Sequence, residues 1–379
     1  MKYEIPFNRP FVAGNEQKYV AEAISRGQIS GNGHFTRRCE KLLETELDSP
    51  RVMLTTSCTD ALELAALLLE LGPEDEVAVP SFGFVSTVNA FVLRGVRPLF
   101  VDIRPDTLNM DEERLEEAIT PNTRAIVPIH YAGVACQMDR IGAIARERDL
   151  RVIEDNAHAL FGRFRGRPLG SLGDLATQSF HETKNFTCGE GGALVIGSEA
   201  LIDRAEILRD KGTDRARFFR GEVDKYSWVD LGSSFLPSDL LAAFLYAQLE
   251  ERDRIQSRRK EILECYAREL SSWARENGVQ LPHVPEDCEQ SYHLFYMLLP
   301  TKDVCDRLIA HLKRDGILAV FHYQPLHLSE MGRRYGYAAG DCPVTEDLSQ
   351  RLIRLPFFND LSESDQNRVL ERILEFSEF

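Results

Sequence analysis

The sequence lacks any run long and apolar enough to span a bilayer, and residues 1–6 carry no signal-like apolar stretch. Both absences argue against a helical membrane protein and lead to the expectation of a cytoplasmic chain. Paired cysteine motifs are missing too. The eight cysteines, at positions 39, 58, 136, 188, 265, 288, 305 and 342, are scattered without CxxC spacing. That pattern excludes a disulfide framework or a cysteine-built zinc site and implies reduced thiols, with no metal expected. Positive charge is in the minority, 45 basic against 60 acidic side chains, for a formal charge of -15. A general nucleic-acid surface is thereby disfavoured, although a local basic cleft could still hold a phosphate or a sugar nucleotide. No low-complexity tract or internal repeat interrupts the chain.

What is present is an ordinary globular composition, 43% hydrophobic and 28% charged, over 379 residues, enough for a sizeable core and two domains. Apolar segments at 51–54, 75–80, 97–102, 123–128 and 151–154 read as strands. Helical patterns at 59–70 and 138–148 lie between them, so the fold class is α/β, a mixed or parallel sheet covered by helices. Residues 236–259 read as one long helical stretch joining a large domain, 1–250, to a smaller α/β domain, 251–379. Its basic cluster, Arg252, Arg254, Arg258, Arg259 and Lys260, is interleaved with acids and reads as a solvated helix face.

The chemistry concentrates between residues 154 and 192. Lys184 lies in Ser179-Phe180-His181-Glu182-Thr183-Lys184-Asn185, ahead of Gly189-Glu190-Gly191-Gly192 and after Glu154-Asp155-Asn156-Ala157-His158. A lysine near a turn, with a carboxylate arriving at a strand end, suits a Schiff-base cofactor such as pyridoxal phosphate. The lysine holds the aldehyde and moves protons, and the carboxylate keeps the pyridine nitrogen protonated. The bland alternatives are a solvated lysine and an aspartate that merely closes a strand. Thr55-Thr56-Ser57-Cys58-Thr59 could place a helix start against a phosphate, or serve only as an N-cap. Pro80-Ser81-Phe82-Gly83-Phe84 offers two rings, either of which could cover a cofactor face or anchor the core.

Taken with Ile5-Pro6-Phe7-Asn8, Gly31 to Cys39 and Arg354-Leu355-Pro356-Phe357-Phe358, these motifs resemble the DegT/DnrJ/EryC1/StrS sugar aminotransferases across nearly the whole chain. The resemblance implies a fold-type I transferase that uses pyridoxal 5'-phosphate, passing through pyridoxamine 5'-phosphate in the half-reaction. It assigns Lys184 to the Schiff base and Asp155 to the pyridine nitrogen. Phe84 takes the stacking position, and His158 the place beside the phenolic oxygen. Cys58, Thr59 and Ser179 would hold the phosphate. Where many relatives have Gly-Tyr-Asn, this chain has Gly232-Ser233-Ser234. Ser234 would reach the neighbouring subunit's phosphate with a shorter arm than asparagine. The sugar 3-dehydratases of the same family carry histidine at the position of Lys184, so the lysine implies transamination.

The resemblance is narrowest to enterobacterial members acting on dTDP-linked 4-keto-6-deoxy sugars for the enterobacterial common antigen, a cell-surface glycan. It implies L-glutamate as donor, transfer to C4 and a homodimer with shared active sites. A C4-epimeric product or another nucleotide-linked keto sugar is the enzymatic alternative, and a pyridoxal-phosphate-binding regulatory or scaffold protein the non-enzymatic one. Lys211, Arg215, Phe219 and Arg220 are the candidate sugar-nucleotide contacts, with His322 and Tyr323 from the smaller domain. Solvated or structural roles are open to each of them, and to His181 and His327.

Overall fold

Short runs of buried aliphatic residues build the centre of the molecule. The computed structural model describes residues 3–379. β1 (Arg51–Thr55), β2 (Glu76–Pro80), β3 (Arg97–Val101), β4 (Thr123–Ile126) and β5 (Arg151–Asp155) form where the apolar segments predict them. Alternation sends Val77 and Val79 to one face of the sheet, against Leu62, Ala65 and Phe91. Ala78 goes to the other face, with Ile126, Ile141 and Ile144. Both faces are therefore covered, which explains why the strands read as nearly continuous apolar runs.

β6 (Arg163–Phe164) and β7 (Arg167–Pro168) make a small hairpin. β8 (Leu175–Ser179) and β9 (Gly192–Ile196) then return to the main sheet, where the sequence reading places no strands. The seven strands run in the order β1-β9-β8-β5-β4-β2-β3. β9 is antiparallel to both neighbours, and the remaining pairs are parallel. The architecture is the fold-type I one, a large mixed sheet followed by a smaller C-terminal α/β domain. Its parallel strands end on one edge, where ligands of open α/β sheets gather.

In the smaller domain, β10 (Cys288–Glu289) joins the β6 hairpin, and β11 (Tyr296–Leu298) pairs with β12 (Leu352–Arg354). Helices Arg252–Glu276, Lys302–Arg314 and Glu363–Leu374 surround them through Tyr266, Phe295, Leu308, Ile353 and Leu370. Ile5, expected with the large domain, belongs to this core and bridges to Ile317. All eight cysteines are free. No helix of the described residues is long and apolar enough to cross a membrane.

The stretch at 236–259 is two helices, Asp239–Glu250 and Arg252–Glu276, not one. Glu251 leaves helical geometry at the join, with φ -95° and ψ 18°. Ala242, Leu245 and Leu249 pack in the large domain, whereas the second helix enters the smaller core from Ile262 onward. Asp239 also closes another helix. Its carboxylate accepts from the N–H groups of Phe35 and Thr36 at 3.2 and 2.8 Å, capping His34–Glu46. Gly33 is required there, because a Cβ would lie 2.2 Å from Asp239 Cγ.

The basic cluster on the second helix is not uniformly solvated. Arg259 shares a face with Ile255, Ile262 and Tyr266 at helical spacing, and that face is buried. Its guanidinium donates to the carbonyls of Tyr292 at 2.8 Å and His293 at 2.5 Å and to Asn359 Oδ1 at 3.1 Å. It also lies 4.7 Å over the Phe357 ring. Burial without a carboxylate partner pulls its pKa down to about 9. Arg259→Ala is expected to cost about 2–4 kcal/mol in denaturant unfolding, because buried carbonyls lose their donors. Arg259→Lys should recover only part, since an ammonium cannot reproduce the fork. A loss below about 1 kcal/mol would show that water takes over these contacts.

Candidate active site

Four strand ends and the start of β9 meet at one edge of the sheet, and a cavity of about 780 Å³ opens there. After β1, Ser57 caps the helix Cys58–Leu68 by accepting from Asp60 N at 3.0 Å. The first-turn N–H groups of Cys58 and Thr59 are left without intrahelical acceptors, at the positive end of an eleven-residue helix. Thr59 Oγ1 donates to Ser86 at 2.8 Å. Burial pushes the Cys58 thiol up to about 12, so it stays neutral beside an anion. Gly192, paired with Thr55, makes the turn possible. A Cβ there would sit 2.4 Å from Cys58 N and from Ser57 C and O. The glycine run noted in the sequence thus has one identifiable steric duty.

β2 ends in the Phe82–Phe84 segment, and the structure separates the two rings. Phe82 is 1% exposed and packs edge-on to Tyr131 and Tyr323, away from the cavity lining. Phe84 is 56% exposed and lines the cavity. β5 delivers Asp155, whose carboxylate accepts from Thr87 Oγ1 at 2.5 Å and from Ala157 N at 3.1 Å. No arginine or lysine pairs with this buried carboxylate among the described residues, so its charge is available to a ligand.

β8 ends at Ser179 on the cavity wall, and a turn held by Lys184 N donating to His181 O at 2.9 Å follows. Lys184 Nζ has no hydrogen-bond or ion-pair partner among the described residues and points into the cavity lining. Burial lowers its pKa, opposed in part by Cys58 and Asp155, which raises the share of free amine. Asn185 anchors the turn, its Nδ2 donating to Ser291 O at 2.7 Å and its Oδ1 meeting His293 Nδ1 at 2.9 Å. His293 in turn stacks on His158 at 4.2 Å. Burial first, then Lys184, holds His158 well below the usual histidine pKa, so the ring is neutral. Its Nε2 meets Tyr323 OH at 3.3 Å, and its buried Nδ1 has no partner.

The smaller domain closes the opposite wall with His322, Tyr323, Arg354 and Phe357, joined by Phe7 and Asn8 from the N-terminal segment. His322 is buried, with Nδ1 2.8 Å from Tyr131 OH, and it stacks 3.6 Å from Tyr323. Tyr323 adopts a positive φ of 31°, a strained conformation held at the cavity wall. His181 sits at the rim, 2.9 Å from Thr183 Oγ1 and 3.6 Å from Glu190. His327 is buried away from the cavity between Ser81, at 2.6 Å, and Glu346, at 3.0 Å, a structural position.

The fold therefore gathers Cys58, Thr59, Phe84, Asp155, His158, Ser179, Lys184, His322 and Tyr323 around one cavity. It does not bring Lys211, Arg215, Phe219, Arg220 or Ser234 to that cavity within the chain. Lys211 pairs with Asp210 at 2.7 Å, and Arg220 with Glu206 and Glu222, both at 2.6 Å. Arg215 lies 5.3 Å over the exposed Phe219 ring. Ser234 forms a backbone bridge with Asp210 on the surface. Thr87, His293 and Arg354 escaped the sequence reading. An arginine closing the apolar run before Pro356 is the one signal that could have marked the last of these.

These residues fit pyridoxal phosphate. The Ser57–Thr59 turn, kept clear by Gly192, can receive the phosphate, and the unpaired Asp155 can hold a protonated ring nitrogen. Phe84 offers an open face, the orphaned His158 Nδ1 a polar contact, and Lys184 an unengaged amine.

Comparison with known proteins agrees with that chemistry. The family profile described as the DegT/DnrJ/EryC1/StrS aminotransferase family matches residues 11–374. The spore coat polysaccharide biosynthesis protein SpsC of Bacillus subtilis is 32% identical over 97% of this chain and 96% of its own. Among solved structures, the aminotransferase TlmJ from Streptoalloteichus hindustanus is 31% identical, covers 97% of both chains and superposes with a TM-score of 0.89. Spr1654 from Streptococcus pneumoniae, in its PLP-form, is 28% identical over 98% of each chain, with a TM-score of 0.90.

Proposed function

Because the chain belongs to the DegT/DnrJ/EryC1/StrS aminotransferase family, a pyridoxal-phosphate-dependent enzyme, we propose that its acceptor is a nucleotide-linked keto sugar. More narrowly, it moves the amino group of L-glutamate to C4 of dTDP-4-dehydro-6-deoxy-D-glucose. The products are dTDP-4-amino-4,6-dideoxy-D-galactose and 2-oxoglutarate. The observation that carries the catalytic part is Lys184, an amine with no protein partner, sharing a cavity with the uncompensated carboxylate of Asp155. A polysaccharide-biosynthesis relative supports a sugar acceptor, and the motif pattern of the chain supports the finer substrate.

Pyridoxal phosphate, when bound, supplies an aldehyde that takes up an amino group and a ring that draws off electron density. With the cofactor bound, Lys184 would hold that aldehyde, and its Nζ, once freed by the donor, would be placed to take the proton from the donor's Cα. In the second half-reaction the same amine would deliver a proton to C4 of the sugar. Asp155 holds its proton-bearing partner throughout, supported by Thr87. The helix start at Cys58 and Thr59 fixes the phosphate end, so the reacting carbon does not wander. Nitrogen and oxygen change places between the two substrates, and no net redox change occurs.

Shared active sites in a homodimer complete the reading. Phe219 and Trp228 are 71% and 79% exposed, and Val229 and Leu231 stand out beside the segment that carries Ser234. Such a cluster of exposed apolar residues suits an interface. Lys211, Arg215 and Arg220 would then face the partner's cleft. Mixing a Lys184→Ala chain with a chain carrying Ser234→Trp is expected to restore about one quarter of wild-type activity, as random pairing leaves one intact site in each hybrid and half of the dimers are hybrid. No restoration would place each site within one chain.

The substrate assignment is tested by glutamate-dependent conversion of dTDP-4-dehydro-6-deoxyglucose, with the C4 configuration read by NMR. An axial amino group is the expected product. An equatorial one would replace the product by its epimer, and absence of conversion would move the acceptor to another activated sugar.

A further inference from the structure

The outer edge of β1 holds a buried ion pair that the catalytic reading leaves unused. β1 is the terminal strand of the main sheet, so one side of its backbone has no strand to receive it. Side chains and one loop take that strand's place. Val52 N donates to Glu44 Oε1 at 3.4 Å, and Leu54 N to Glu40 Oε1 at 3.1 Å. Arg209, the last residue of helix Ile202–Arg209, donates through Nη1 to Leu54 O at 3.3 Å and to Glu40 Oε1 at 2.6 Å. Its Nη2 donates to Asn32 Oδ1 at 2.9 Å. Thr56 N completes the series by donating to Phe235 O at 3.0 Å, and Phe235 N donates to Arg209 O at 3.2 Å. Glu40 and Arg209 are 2% and 3% exposed.

Taking two charges out of water is costly, and a buried pair is often no more stabilising than well-packed apolar residues of the same volume. What this pair does that apolar residues cannot is bond both the N–H and the C=O of Leu54, two positions before Thr56. From Thr56 the constraint passes straight into the turn at the start of helix Cys58–Leu68. The Thr56 hydroxyl bonds Asp60, and Ser57 Oγ accepts from Asp60 N at 3.0 Å. An anion at that helix start needs the N–H groups of Cys58 and Thr59 already aimed, because a turn free to move would lose entropy on binding. Resting on the reading above that this turn receives the cofactor's phosphate, we propose that Arg209, together with Glu40, is a positioning residue for that phosphate. The pair touches no ligand; it fixes the end of β1 from behind, directly at Leu54 and through Phe235 at Thr56.

Replacing Arg209 alone by an apolar residue would leave Glu40 buried and unpaired, so the test uses the double variant Glu40→Leu/Arg209→Met, which removes both charges at similar volume. The full chain, freed of cofactor, is titrated by absorbance with pyridoxal phosphate, with pyridoxal, which lacks the phosphate, and with inorganic phosphate as competitor. The double variant is expected to bind pyridoxal phosphate about tenfold more weakly, with inorganic phosphate weakened by the same factor and pyridoxal unchanged. Arg209→Lys, which keeps the charge but not the fork, should show a smaller loss with the same selectivity. A role in stability alone would weaken pyridoxal phosphate and pyridoxal alike, so equal losses, or no loss for pyridoxal phosphate, would overturn the proposal. Asn32→Gly removes Oδ1 and tolerates the φ of 58° at that position. If it reproduced the loss by itself, the effect would run through the N-terminal loop and the proposal would also fall. Wild-type protein that binds pyridoxal phosphate no more tightly than pyridoxal would instead overturn the phosphate turn, and protein that binds neither would overturn the aminotransferase reading.

Discussion

Lys184→Ala is expected to lower transamination by about 10²–10⁴-fold or more, with little change in folding. The amine has no hydrogen-bond or ion-pair partner among the described residues, so removing it breaks no protein contact. Its neighbours Asn185, Phe186, Thr187 and Cys188 are buried and keep the turn in place. The variant should therefore unfold at nearly the wild-type denaturant midpoint. What it loses is the nucleophile and the proton carrier in one atom. Borohydride treatment of cofactor-loaded wild-type protein should fix the cofactor to the peptide containing residue 184, and the variant should retain none covalently. Normal turnover in the variant, or cofactor fixed at another lysine, would remove Lys184 from its role.

On the proposed role of Asp155 as partner of the ring nitrogen, Asp155→Ala should be the second largest effect, about 10²–10³-fold in turnover, because a buried charge is worth far more than an exposed one. The carboxylate is 4% exposed and is held on one side by Thr87 Oγ1 and on the other by Ala157 N. Thr87→Val keeps the volume while deleting the hydroxyl, so it should produce a smaller loss, about tenfold, through misplacement of Asp155 alone. The order wild type, Thr87→Val, Asp155→Ala separates charge from orientation. Cofactor retention measured in parallel distinguishes failed chemistry from failed binding. If Asp155→Ala turns over normally, the partner of the ring nitrogen lies elsewhere.

Much of the site was legible because local chemistry and strand ends coincide. The turn after β1 shows its small hydroxyl residues in the sequence, and Asp155 ends a readable apolar run. Lys184 stands just ahead of a glycine run whose last member, Gly192, has a steric reason to be glycine. β8 and β9 were not legible, since Leu175–Ser179 and Gly192–Ile196 flank the chemical segment and look like its continuation. Arg259 was misread because its charged neighbours Arg258 and Lys260 mask a helical face whose other members are Ile255 and Ile262. The candidate contacts between Lys211 and Arg220 were placed by motif pattern, and within one chain none reaches the cavity: Lys211 and Arg220 pair with local acids, and Arg215 lies over Phe219.

The amino-acid sequence by itself determined the strand-helix alternation and singled out Lys184, Asp155 and the helix start at Cys58 and Thr59, all of which line the cavity. These follow from short-range rules: apolar periodicity, N-cap chemistry and the scarcity of residues able to do each job. Only the tertiary structure decided which of Phe82 and Phe84 faces the cavity, that Thr87 steadies Asp155, and that His293 stacks on His158. It alone brought Arg354, some 170 residues further along the chain than Lys184, to the same cleft. The physical reason is that such partnerships depend on strand order and on how two hydrophobic cores meet. Neither leaves a periodic trace along the chain.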